Sequence, residues 1–330
     1  MSGLAGPFFE DLVRGQRFVD APAMTLTEGY AAAHRAIVGD RLRLSLDDSL
    51  AISTTGTGGL VHPAAVWDVA IGQSTLVTRS VVGNLFYRGL AFHRLPRVSD
   101  TLRTSTEVVA LKQNTRRPGR RATGLAALRI TTCDQDGRTV LDFWRCAMLP
   151  MRDDNVETGH ADEMASVGEN APAGLFASIT AGWDLSGFRE TNPVVHFNDL
   201  QVGQGWSSGG DVVSSAPELA RLTLNIAEVH HDAIPTGKRL VYGGHTIGIA
   251  LAQASCELPN LLTVVGWHGC DHLGPVTEGD TLRSTVTVEQ LEPLQGGGGL
   301  VHLRSCVTAQ SSSNAPPENV LDWRFVGVMA

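Results

Sequence analysis

Charge is scarce in this chain, and aromatic residues are scarcer still. Charged residues make up 18% and aromatics 6% of 330, against 42% hydrophobic, a balance that fits a globular protein. No run of about eighteen uncharged apolar residues occurs, so no membrane-spanning helix is expected. The opening MSGLAGPFFEDL lacks a basic stretch followed by an apolar one, which argues against a secretory leader. Cysteine is sparse: Cys133, Cys146, Cys256, Cys270 and Cys306 are scattered, odd in number and never spaced C-x-x-C. That pattern excludes a disulfide framework and a cysteine zinc site, and it points to reduced thiols in a cytoplasmic protein. Basic surplus is absent too. A formal charge of −8 leaves nothing to neutralise a phosphate backbone, so nucleic acid is an unsuitable partner.

What the chain does contain is a second copy of itself. FFEDLVRGQ from Phe8 returns as HFNDLQVGQ from His196, with Phe9, Asp11, Leu12, Gly15 and Gln16 matched 188 residues later. LVHP from Leu60 and SDTLRTSTEVV from Ser99 return 180 residues later as LVYG and GDTLRSTVTVE, and DFWR ending at Arg145 returns 179 later as LDWR. Four blocks in one order at nearly constant spacing mark a duplicated domain. Between the copies, Met151 to Phe176 is acidic and rich in small residues, which reads as a loosely packed connection. The expected division is a first half at 1–150, a linker at 151–190 and a second half at 191–330.

Each half repeats one plan. A segment apolar on nearly every side, PAAVWDVAIGQSTLVT or HTIGIALAQASCEL, suits a helix buried by a sheet. DTLRSTVTVEQL alternates Leu282, Val286 and Val288 with Arg283, Thr285 and Glu289, the period of a half-buried strand. Asp136-Gly137 marks a hairpin turn. A helix followed by consecutive antiparallel strands is an α+β unit whose curved sheet wraps a central helix.

The densest chemistry lies in NIAEVHHDAIPTGKRLVYGGH, from Asn225 to His245. Gly243 and Gly244 stand where an extended run meets the second buried helix. The first N–H groups of a helix lack internal partners and carry the positive end of its dipole. Glycine there lets a ligand approach closely enough for the backbone to hold an oxyanion. The first half is an internal control: 180 residues earlier stands Pro63, which starts a helix but has no N–H. His230 has no counterpart either, since Leu50 occupies that offset. A lone histidine is more often a core residue bonded to a carbonyl. Here an amide side chain, a glycine helix start and a histidine-free twin favour acid–base work instead.

These residues resemble the MaoC-like, or R-specific enoyl-CoA hydratase, family of hot-dog proteins. The usual motif there is G-D-x-N-P-x-H followed by a V-H-G-x-L helix start. NIAEVHHD and KRLVYGGH, with NLFYRGLAF, SDTLRTSTEVVALKQN and LDFWRCAML in the other half, resemble the branch acting on mesaconyl-CoA (2-methylfumaryl-CoA). The likeness spans most of both halves. It implies a tandem (double) hot-dog whose first half carries a degenerate site. It also implies reversible addition of water to a branched, dicarboxylic 2-enoyl-CoA. In that reading His230 activates water and Asn225 positions it, while Gly243, helped by Gly244, holds the thioester enolate. His231 or Asp232 assist, and Tyr242, Arg239 or Lys238 meet the distal carboxylate; His245 is a further substrate-site candidate. Coenzyme A arrives on the substrate, with no metal or other cofactor. A homodimer is allowed for without being specified. One departure stands out: the family's aspartate falls at Asn225, whereas the first half keeps Asp40 but has Ser45 where the histidine would be. The rival readings are an acyl-CoA thioesterase of the same fold and a non-catalytic acyl-CoA-binding protein.

Four other features have plainer readings. TRRPGRR, Thr115 to Arg121, is a solvated hairpin loop or a contact for coenzyme A phosphates. HGCDH would put His268, Cys270 and His272 on one strand face, weak evidence for a metal. LQGGGGL lacks the G-K-[ST] ending of a phosphate loop. The tryptophans at 67, 144, 206, 267 and 323 suit the core.

Overall fold

The computed structural model describes residues 6–168, 171–172, 174–186, 188, 194–234 and 237–330. Parts of the expected linker, and Pro235 and Thr236 in the polar stretch, lie outside the described residues.

In the first half, short strands β1 (Arg17–Phe18) and β2 (Met24–Thr25) precede three helices, Glu28–Val38, Arg43–Leu46 and Asp48–Thr55. A central helix, Pro63–Gln73, follows, then β3 (Gly83–Phe92), β4 (Thr101–Gln113), β5 (Thr123–Cys133) and β6 (Thr139–Pro150). The second half repeats the order with β7 (Gly205–Ser207), β8 (Asp211–Val212), a helix Ala216–Leu222 and a central helix Gly243–Glu257. It closes with β9 (Leu261–His272), β10 (Thr281–Pro293), β11 (Gly299–Gln310) and β12 (Glu318–Met329). Antiparallel pairing of β3 with β9 joins the halves into a twelve-stranded sheet, in the order β1-β4-β5-β6-β3-β9-β12-β11-β10-β7, with β2 added on β4 and β8 on β10. This is the α+β tandem plan read from the sequence. No helix among the described residues is long and apolar enough to cross a membrane.

The periodicities fall where the residues require. Leu282, Val286 and Val288 are buried, while Arg283, Thr285 and Glu289 face out. Every residue of the first central helix is buried, as are Gly244 to Ser255 of the second; two such helices need a shared core. Trp67 of the first helix meets Trp267 of β9 at 4.8 Å, and Trp267 meets Trp323 of β12 at 5.5 Å. The repeated F-x-D-L block has a packing reason. Phe9 and Phe197 each begin a single 3₁₀ turn, and their rings cover Gly124 and Gly299, where any side chain would collide. The expected linker at 151–190 is not loosely packed throughout: its Trp183, Leu185 and Phe188 are buried in one cluster with Leu262, Val265 and Val326.

One repeat block is shifted by a residue. Tyr87 pairs with Arg145 across β3–β6, and Trp267 pairs with Phe325 across β9–β12. Position 145 therefore matches 325, an offset of 180, and DFWR and LDWR, matched at 179, lie one residue out of structural register. A one-residue slip exchanges sheet faces, so Arg145 is buried whereas Arg324 is half-exposed and paired with Glu289 and Asp322.

Candidate active site

The second central helix begins at Gly243 with Tyr242 as its cap residue, and no side chain caps it. Side chains of Thr27, Asp47 and His62 cap the first-half helices that begin at Glu28, Asp48 and Pro63. The orphan N–H groups at Gly243 thus remain for something else. Gly243 lines a cavity of about 240 Å³ together with His230, Asn225, Tyr242, His272 and Arg145.

His230 ends a 3₁₀ turn, Glu228–His230. Its Nδ1 lies 2.8 Å from the Leu240 carbonyl. A carbonyl only accepts, so Nδ1 carries the hydrogen and Nε2 keeps its lone pair. Burial holds this imidazole down at about 4 against an opposing pull from the Leu240 bond, with His231 and then Arg145 adding to the lowering. It is a neutral base at pH 7. The Tyr242 ring meets it edge-on at 5.8 Å, and the Tyr242 hydroxyl donates to Asp68 Oδ1 at 3.0 Å. Asp68 in turn bonds His34 at 2.8 Å, both side chains buried. Tyr242 is therefore fixed from the first half.

Asn225 is 2% exposed, and its Oδ1 accepts from the Ala227 N–H at 3.0 Å. Its Nδ2 makes no hydrogen bond among the described residues, so Asn225 can orient water or an oxyanion by donating, and an amide is no proton acceptor in this chemistry.

The other sequence candidates divide. Gly244 is absent from the cavity wall. A Cβ there would strike Asp68 and the Tyr242 ring, so packing demands this glycine. Arg239 is bound to Glu278 at 2.5 Å and lies off the cavity. His231 bonds the Asn225 carbonyl at 2.7 Å and lines, with Asp232, an adjoining groove. Lys238 is absent from the cavity wall and lines an adjoining hollow that shares Val82, Val229, Leu240 and Pro275 with it. His245 is fully buried within the helix with neither ring nitrogen bonded, and burial lowers it to about 4. Asp40 does not join the cavity. It accepts from Ser45 at 2.8 Å, lies 3.4 Å from His62, and is raised by burial to about 6. The first half's remnant of the motif is thus folded into a buried cluster of its own.

Sequence reasoning missed two basic cavity residues. His272 is one. A β-bulge in β9 lets Arg324 pair with Gly269 and Phe325 with Trp267, skipping His268. The bulge reverses the alternation. Cys270 joins the main core and His272 reaches the cavity, whereas His268 stacks on His302 with ring centroids 5.1 Å apart. The expected shared face of His268, Cys270 and His272 does not form. His272 lies against Gly243, 2.6 Å from where a Cβ would stand, and burial lowers it to about 4. Arg145 is the other, and with Tyr87 and Asn84 it shows that the first half builds one wall of the site. The signal for both lay in strand register, which no local motif carries.

A scan of family models finds none that matches. The chain is 26% identical to β-methylmalyl-CoA dehydratase of Chloroflexus aurantiacus, across 98% of this chain and 97% of that one. It is 29% identical to mesaconyl-CoA hydratase of Cereibacter sphaeroides, across 91% and 88%. Among solved structures, a Mycobacterium tuberculosis protein with a double hot-dog fold is 53% identical, with a TM-score of 0.93 over 98% of this chain and 99% of that one. A MaoC domain protein of Chloroflexus aurantiacus is 25% identical, with a TM-score of 0.87 over 100% and 99%. Duplicated fold, paired central helices and full-length likeness agree: the chain belongs to the MaoC-like double hot-dog family of hydratases and dehydratases.

Proposed function

We propose that this protein reversibly adds water to a short 2-enoyl-CoA, branched and dicarboxylic, of which mesaconyl-CoA giving β-methylmalyl-CoA is the type. One observation carries the reading: a neutral imidazole with a free lone pair and an uncapped helix start line the same small cavity. His230 Nε2 takes a proton from water as its oxygen bonds to the β-carbon. The double-bond electrons move onto the thioester oxygen, forming an enolate that the Gly243 N–H and Asn225 Nδ2 hold. The enolate then collapses as the α-carbon takes a proton from the imidazolium, which restores the base. His272, also neutral, is a second imidazole within the same cavity. The reaction needs no cofactor beyond the coenzyme A carried by the substrate.

A cavity of 240 Å³ is smaller than the few hundred to a thousand Å³ of sites that enclose a whole drug-sized ligand. It suits the acyl group alone. The adjoining groove shares Val81, Val82, Asn225 and Val229 with it and is lined by Arg121 and by Arg79 and Arg221, which pair at the surface with Glu228 and Glu218. TRRPGRR, the β4–β5 loop, lines a further hollow that shares Val82 and Arg121 with that groove. This is the path we assign to pantetheine and phosphates. Incubation with crotonyl-CoA and mesaconyl-CoA tests the reading. Loss of enoyl absorbance without free thiol is expected; free thiol would make the protein a thioesterase, and no change would make it a binding protein.

A further inference from the structure

Arg145 is 3% exposed, yet no aspartate or glutamate among the described residues pairs with it. Its bonds go to neutral oxygens: Nε to Asn84 Oδ1 at 3.2 Å, Nη1 to Ser74 Oγ at 2.8 Å and Nη2 to Thr78 Oγ1 at 3.4 Å. A guanidinium has five N–H donors, so one remains on each terminal nitrogen. A buried charge without a counter-charge is costly, several kcal/mol by general experience, and the fold does not require it here. The twin position holds Phe325, fully buried and paired with Trp267 just as Arg145 is paired with Tyr87.

The surroundings narrow what the charge awaits. Arg145 is the one lysine or arginine among the described residues lining the cavity, and no acidic residue lines it. Nearby Arg79, Arg88 and Arg239 already have Glu228, Asp271 and Glu278. We propose that Arg145, oriented by Asn84, Ser74 and Thr78, is the binding site for a carboxylate at the far end of the substrate's acyl group. The partner chemistry is a planar anion with two oxygens, which a guanidinium binds bidentately. Coenzyme A phosphates sit at the opposite end of a long arm and do not share a cavity that holds the reacting carbons. The inference rests on the hydratase reading for its substrate and adds the residue that selects it. It replaces Arg239, Lys238 and Tyr242 as the group that meets the distal carboxylate.

The test separates binding from turnover. Affinities for two unreactive thioesters, succinyl-CoA and butyryl-CoA, differ by a carboxylate in place of a methyl and are measured by titration calorimetry. The wild type should prefer succinyl-CoA by roughly ten- to a hundredfold, the worth of a hydrogen-bonded charge, and Arg145→Met should lose that preference while still binding butyryl-CoA. Equal affinities in the wild type, which need no variant to fold, would overturn the assignment. A succinyl preference that survives in a folded Arg145→Met protein would overturn it too. Hydration is read in parallel with mesaconyl-CoA and tigloyl-CoA, which differ in the same way. If the wild type hydrates neither yet prefers succinyl-CoA, the hydratase reading fails and the carboxylate site stands. If it hydrates both equally, the reaction stands and the carboxylate site fails.

Discussion

At the scale of single residues the site depends on which hydrogen-bonding groups are already occupied. His230 spends Nδ1 on Leu240, and Asn225 spends Oδ1 on Ala227, leaving one proton acceptor and one donor pair for substrate. Replacing His230 by Ala should therefore lower kcat by about 10²- to 10⁴-fold, the usual worth of a general base, with KM moved far less. Asn225→Ala should cost less, since the Gly243 N–H remains. As the proposed base His230 works in its neutral form, and its folded value is about 4. Hydration rates should stay level from pH 8 down to about 5 and fall as pH drops through that value. A fall centred near 6.5 would show an ordinary, solvated histidine and would reject it as the buried base. Gly243 adds a steric test. An alanine there would press on the His272 ring, so Gly243→Ala should lose activity while its far-ultraviolet dichroism is unchanged.

At the scale of elements, the two halves show which positions the fold itself demands and which it leaves free. Phe9 over Gly124 and Phe197 over Gly299 recur in both halves, and so belong to structure. Gly124→Ala should destabilise by roughly 1–3 kcal/mol, the common cost of overpacking a core, as read from the urea midpoint, with kcat/KM of the surviving folded protein unchanged. The uncapped start at Gly243 and the buried Arg145 have no counterparts, since Pro63 and Phe325 stand in their places. Much of this was legible beforehand: the repeat, the strands and the helix starts follow from composition and period, and His230 and Gly243 stood out against Leu50 and Pro63 in the twin. The remainder was hidden in register. DFWR and LDWR match as letters but sit on opposite faces, and one bulge at His268 decides that His272 turns inward. A strand's face is set by its partner strand, which the linear sequence does not display.

At the scale of the whole molecule, the junction of the halves holds an unusual stock of neutral imidazoles. His230, His245 and His272 are each held by burial at about 4, against about 6.5 when unfolded. A lowered value means the unfolded chain binds more protons between those limits, so stability is full above 6.5 and is lost as pH falls towards 4. Asp40 acts in the other direction, since burial raises it to about 6; its contribution is present at low pH and lost as pH rises through that value. A single replacement isolates one histidine from this mixture. His245 suits the purpose because it is fully buried, neither ring nitrogen is bonded, and it is absent from the cavity wall. Removing an unsatisfied buried polar group in favour of an apolar one of similar size is close to neutral or stabilising. His245→Leu should thus match the wild type or exceed it at pH 7. Between pH 7 and 4.5 it should lose about 2 kcal/mol less stability than the wild type, the worth of one histidine titrating over that window. Urea denaturation at the two pH values measures the difference. Parallel losses in the two proteins would mean that His245 is not the buried neutral group described, and that water or a partner reaches it inside the helix pair.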